Sequence, residues 1–192
     1  EIYTLSLHDA LPILENYIKK FPKSFVLFNI LGAVCAAQDE LEVAINHHKK
    51  SVEINPDYAE GYNNLGIAFQ KLGLFEEAVK NYKKTLKLKP DFSLAYNNLG
   101  VVLKSLNKLD EALLTSKKAI ELDPKFADAH NNIGAILQDL GKYEEAYKFY
   151  KKAIELKSSY SEAYYNLGIL LKKLGKIEEC VENFHKAVTV NQ

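Results

Sequence analysis

The sequence predicts an all-α fold, a solenoid of five stacked helix-turn-helix units, and three observations carry that expectation. Pro22, Pro56, Pro90 and Pro124 stand 34 residues apart, with Ser158 in the next position. Gly32, Gly66, Gly100, Gly134 and Gly168 keep the same period, as do Ala44, Ala78, Ala112 and Ala146, with Cys180 fifth. Between these columns apolar residues recur at helical spacing, in two runs per period. A fixed period of this size marks a repeat array, in which each unit buries its apolar face only against its neighbours.

Taken in order, residues 1–13 (EIYTLSLHDALPI) resemble, codon for codon, the translation of a widely used short-read sequencing adapter. They are expected to be a translated artefact and are set outside the fold. Leu14, Tyr17, Ile18 and Phe21 then run at helical spacing into Pro22, so 14–24 reads as the end of a preceding second helix. Complete units follow at 25–58, 59–92, 93–126 and 127–160, and a truncated one at 161–192. Gln192 stands where the repeat proline would be, so the chain is expected to be a slice of a longer protein.

The unit 59–92 shows the logic of each element. Asp57 after Pro56 is the expected N-cap, with Glu60 three residues on completing a capping box. Tyr62, Leu65, Phe69 and Leu72 give the first apolar stripe, which Gly73 stops. Phe75, Ala78, Val79, Tyr82 and Leu86 give the second, and Pro90 ends it by removing a backbone donor. In the next unit Asn107 replaces the turn glycine, a residue that also tolerates the left-handed conformation. The small residues of the glycine and alanine columns are expected where paired helices approach most closely.

Composition limits the function classes. Charge is balanced, 25 basic against 25 acidic residues, which argues against a nucleic-acid partner. No apolar run approaches the ~18 residues of a membrane span. The two cysteines, Cys35 and Cys180, suit a reducing compartment, and a cytoplasmic location is expected. No catalytic set, cofactor site or metal site is expected either. His47 and His48 are adjacent on a helix and so diverge, His130 fills an aromatic core slot, and the cysteines fill apolar slots. The lysine pairs Lys49/Lys50, Lys83/Lys84, Lys117/Lys118 and Lys151/Lys152 alternate with glutamates and read as a solvated outer face.

These columns resemble the tetratricopeptide repeat. Its motif of aromatic, leucine-glycine, aromatic or aliphatic, alanine, aromatic, small residue and proline appears as Tyr62, Leu65, Gly66, Phe69, Ala78, Tyr82, Thr85 and Pro90. It recurs as Tyr96, Leu99, Gly100, Leu103, Ala112, Ser116, Ala119 and Pro124, with His130, Ser116 and His48 as departures from the aromatic slots. The resemblance covers 25–192 and implies a right-handed superhelix whose first helices line a concave groove.

In that family slots two, five, six, nine, twelve and thirteen face the groove. Slot six here holds Asn64, Asn98, Asn132 and Asn166, with Ile30 in the first unit. Slot five holds Asn29, Asn63, Asn97 and Asn131 and ends in Tyr165. An asparagine amide both donates and accepts, so such a column can hydrogen-bond an extended peptide whatever its side chains. The arrangement is similar to the asparagine ladder of the O-linked N-acetylglucosamine transferase superhelix. That implies a protein or peptide partner held by Asn63, Asn64, Asn97, Asn98, Asn131, Asn132 and Asn166. The competing role for these amides is hydrogen bonding between helices.

Repeats that clamp chaperone carboxylate tails carry lysine at slot five and asparagine at slot nine. Here slot nine holds Ala33, Ile67, Val101, Ala135 and Ile169, so that clamp is not expected. The first unit has an apolar groove side, Val26, Ile30, Ala33, Ala36 and Ala37, either covered by a further element or open as a hydrophobic pocket. The leading functional reading is a non-catalytic protein-interaction module. The alternatives are the recognition arm of a larger glycosyltransferase, sulfotransferase or oxygenase type enzyme, and a scaffold that self-associates end to end.

Overall fold

A computed structural model describes residues 7–190, and the side chains of 7–10 are outside that description. Among the described residues every regular element is an α-helix. None is long and apolar enough to cross a membrane. Backbone contacts divide the chain at Asp91/Phe92 into two compact units.

The first unit contains α1 (Leu7–Lys20), α2 (Phe25–Ala37), α3 (Leu41–Ile54), α4 (Ala59–Lys71) and α5 (Phe75–Leu88). Here α2–α3 and α4–α5 form hairpins, and α4 packs on α3. The second contains α6 (Ser93–Ser105), α7 (Leu109–Leu122), α8 (Ala127–Asp139), α9 (Tyr143–Leu156), α10 (Ser161–Lys173) and α11 (Ile177–Thr189). It is built the same way, with α6–α7, α8–α9 and α10–α11 as hairpins, each packed on the next.

Helix α1 straddles the boundary between the adapter-like segment and residue 14. Residues 1–6 of that segment, and the terminal Gln192, lie outside the described residues. Leu11, Leu14 and Ile18 pack on Leu31 and Cys35 of α2, whereas Tyr17 and Phe21 are exposed.

Within each hairpin the glycine column permits the close approach. A Cβ on Gly66 would lie 2.7 Å from the Tyr82 ring, and one on Gly134 would lie 2.8 Å from Tyr150. Gly32 faces His48 and Gly168 faces Phe184 in the same way. The alanine column, Ala44, Ala78, Ala112 and Ala146, is fully buried. Hydroxyls fasten the second helix to the start of the first: Ser51 Oγ donates to Phe25 O at 2.7 Å, and Thr85 Oγ1 to Ala59 O at 3.3 Å.

The turns are local chemistry. Gly73 has φ +74°. Its N–H donates to Gln70 O at 3.0 Å and that of Leu74 to Phe69 O at 2.9 Å, the paired bonds of a Schellman ending. Asn107 adopts φ +57° in the same place, with Lys108 N–H donating to Leu103 O. The first hairpin uses Asp39 at φ +65°, a substitution the reading of the glycine column passed over.

The expected capping box at Asp57 is corrected. Helix α4 starts at Ala59, and its N-cap is Tyr58, with no side-chain capping bond. Pro56 and Asp57 belong to the preceding turn, where Asp57 N–H donates to Asn55 Oδ1 at 3.2 Å. Asp123 makes the same turn with Lys125 N–H at 3.0 Å. The asparagine or aspartate before the proline does locally what an N-cap would otherwise do.

Candidate functional site: the asparagine columns

Slots five and six are adjacent on a helix and therefore point about 100° apart. The slot-five amides turn inward: Asn63, Asn97 and Asn131 are 3%, 6% and 0% exposed. The slot-six amides of Asn64, Asn98, Asn132 and Asn166 are half-buried.

The two columns bond to each other from one hairpin to the next. In the first unit Asn64 Nδ2 donates to Asn29 Oδ1 at 3.1 Å. In the second, Asn132 Nδ2 donates to Asn97 Oδ1 at 2.8 Å and Asn166 Nδ2 to Asn131 Oδ1 at 3.1 Å. The donors of slot five are directed elsewhere: Asn29 Nδ2 to the Tyr58 hydroxyl at 3.2 Å, and Asn131 Nδ2 to Glu162 Oε1 at 3.1 Å. In these three pairs the slot-five side chain orients the slot-six amide of the following hairpin. This relation spans 35 residues and does not show in either column read alone.

Two lysines of the polar surroundings are paired with carboxylates. Lys89 Nζ lies 3.0 Å from Glu60 Oε1, and this contact holds the Glu60 carboxyl below its usual range. Lys104 lies 2.9 Å from Asp139. Burial, aided by a hydrogen bond with Asp128, pushes the Tyr160 phenol up.

On the outer face the lysine pairs have local partners. Lys50, Lys118 and Lys152 pair with the glutamates three residues on, while Lys49 and Lys84 lie over the rings of Phe69 and Tyr62.

The chemistry-bearing side chains set aside from the sequence are packed. His130 Nε2 donates to Pro124 O at 3.0 Å. Cys35 and Cys180 are both buried, and burial pushes the Cys35 thiol up. Among the described residues no group of three or more potential ligands could hold a metal ion. A larger cavity, about 760 Å³, lies in the second unit beside Tyr160, Tyr165, Phe184 and Val188 and includes no slot-six asparagine.

Residues 59–92, 127–160 and 161–192 match the tetratricopeptide repeat family, and 32–73, 102–141 and 81–113 match further repeat descriptions of it. The chain belongs to the tetratricopeptide repeat family. It is an all-α solenoid of helix-turn-helix units in that family's sense.

A 72-residue stretch is 35% identical to the uncharacterized protein ycf37 of Cyanophora paradoxa. That stretch is 36% of this chain, and it spans 41% of the relative's length. The solved structure of MamA is 26% identical, with a TM-score of 0.71, over 84% of this chain and 94% of that one. YrrB, described as a tetratricopeptide protein with an unusual peptide-binding site, is 22% identical, with a TM-score of 0.68, over 92% and 91%.

Proposed function

We propose that this chain is a protein-interaction module that holds an extended peptide segment along its slot-six asparagines. The observation that carries the reading is the state of three amides. Asn64, Asn132 and Asn166 each have one Nδ2 hydrogen fixed by a slot-five oxygen. The carbonyl oxygen and the second amide hydrogen of each have no partner among the described residues. An amide so oriented presents one acceptor and one donor, the complement of a backbone peptide group. Repetition of the pair in the successive hairpins of Asn132 and Asn166 suits a ligand whose own groups repeat.

Asn98 occupies the same slot and is assigned the same role. Asn63, Asn97 and Asn131 are assigned the supporting role their burial suggests, setting the orientation of the column rather than touching the ligand. Each bond contributes about 0.5–1.5 kcal/mol, so binding depends on several acting together and is tolerant of sequence. The peptide-binding relative YrrB supports the assignment of class.

Isothermal titration of a capped polar peptide with Asn132→Ala, Asn166→Ala and the double variant tests it. Each single change is expected to weaken binding about 2- to 10-fold and the double change by roughly the product. Unchanged affinity in the double variant would sink the proposal.

A further inference from the structure

Two hairpins share a feature that the first lacks. Tyr82 and Tyr150 are buried in the second helix, and their hydroxyls donate to Gln70 Oε1 at 2.8 Å and Gln138 Oε1 at 3.3 Å. In the first hairpin the corresponding residues are His48 and Ala36. The phenol end and the glutamine amide are missing together. The adjoining slot, filled elsewhere by Lys71, Ser105, Asp139 and Lys173, holds Ala37. What remains is a cavity of about 200 Å³ between α2, α3 and α4, walled by Ala33, Ala36, Ala37 and Ile67.

Its polar groups are arranged for a ligand. His48 is only 2% exposed, and its ring seats against Gly32 as Tyr82 seats against Gly66. Its Nδ1 lies 3.0 Å from Asn29 Oδ1, an oxygen that also accepts from Asn64, so Nδ1 is the nitrogen that carries the hydrogen. Burial holds the ring neutral, with its pKa pushed down to about 4. Nε2 is then an acceptor without a partner among the described residues. Asn64 and Lys71 also line the opening, and Lys71 has no acidic partner among the described residues, unlike Lys104 on Asp139.

We infer that this cavity is a specificity subsite of the peptide face. It takes one tyrosine side chain of the bound segment, the phenol donating to His48 Nε2 and a neighbouring carboxylate meeting Lys71. The inference rests on the peptide-binding reading above, because Asn64 belongs to both the column and the cavity wall.

The probe is a capped nonapeptide of glycine, serine and alanine carrying one Asp-Tyr pair, followed by fluorescence anisotropy beside its Tyr-to-Phe and Tyr-to-Ala forms. The tyrosine peptide is expected to bind at least about tenfold tighter than the alanine form, with the phenylalanine form about 2- to 10-fold weaker than tyrosine. The double variant Ala36→Gln/His48→Tyr installs the pair already used twice in this chain. It should remove the tyrosine preference. Ala37→Lys, at an exposed site, should do the same without touching the core.

Equal binding of all three peptides to the wild type, or a tyrosine preference that survives both variants, overturns the subsite. If at the same time Asn132→Ala/Asn166→Ala still weakens every peptide, the column reading stands alone. A tyrosine preference that persists while that double variant has no effect overturns the column and leaves the subsite. Absence of binding by any peptide at about 1 mM overturns both. Concentration-dependent dimers that disappear in Ala37→Lys would show the occupant to be a second copy, against the inference.

Discussion

Replacing Asn131 with alanine tests the proposed division between an amide that supports and one that binds. Asn131 is fully buried, accepts from Asn166 Nδ2 and donates to Glu162 Oε1, each at 3.1 Å. Truncation deletes both bonds and leaves a void beside the half-buried Tyr160. Two bonds at about 0.5–1.5 kcal/mol each, with water reaching the exposed Glu162 but not the whole void, give a destabilisation of about 2–3 kcal/mol. Asn166→Ala removes one bond from a half-buried site and should cost about 0.5–1.5 kcal/mol. Urea unfolding followed by circular dichroism, with the slope compared as well as the midpoint, reads the difference. If Asn131→Ala stays within about 0.5 kcal/mol of the wild type, the slot-five amides do not hold successive hairpins together and the argument for an oriented slot-six column fails with them.

Three further outcomes follow from the packing. Gly134→Val places a branched side chain where even a Cβ would lie 2.8 Å from the Tyr150 ring, so thermal unfolding should show a loss of about 1–3 kcal/mol. Gly141→Ala meets no neighbour, but φ is +76°, so its cost of about 1–2 kcal/mol comes from the backbone alone. His48 titrates near 4 in the folded chain against an ordinary histidine value of 6.5. The unfolded chain therefore binds more protons between those values. Stability should fall as pH drops from about 6.5 to about 4, by up to about 3 kcal/mol, and level off below. Denaturant midpoints across that range should lose this slope in His48→Phe.

Much of the fold could be read from the residues because its determinants are local or strictly periodic. Gly73 and Asn107 announce their turns through the one backbone conformation they tolerate and most residues do not. Asp39 occupies the same conformation 34 residues before Gly73, and strict use of the period would have found it. The capping box at Asp57 misled because two local hydrogen-bonding patterns compete there, and the Asn55 turn takes the N–H that a helix start would need.

The asparagine columns were visible, but their division of labour was not. Slots five and six differ by one step of helical rotation, and the packing angle between neighbouring helices decides which amide turns inward. The cavity beside His48 shows the same limit. Ala36 and Ala37 marked an apolar surface in the sequence. Its open cavity lies where, in two other hairpins, a tyrosine hydroxyl meets a glutamine amide.

The central claim is that the slot-six amides read the backbone of a bound segment. The direct test replaces single backbone amides of one peptide ligand with esters, which remove the N–H and leave the side chains in place. Measured against the wild type, one ester facing the column should weaken binding about 2- to 10-fold, and the loss should vanish when the facing asparagine is already alanine. Ester and amide peptides of equal affinity at every position would contradict the account.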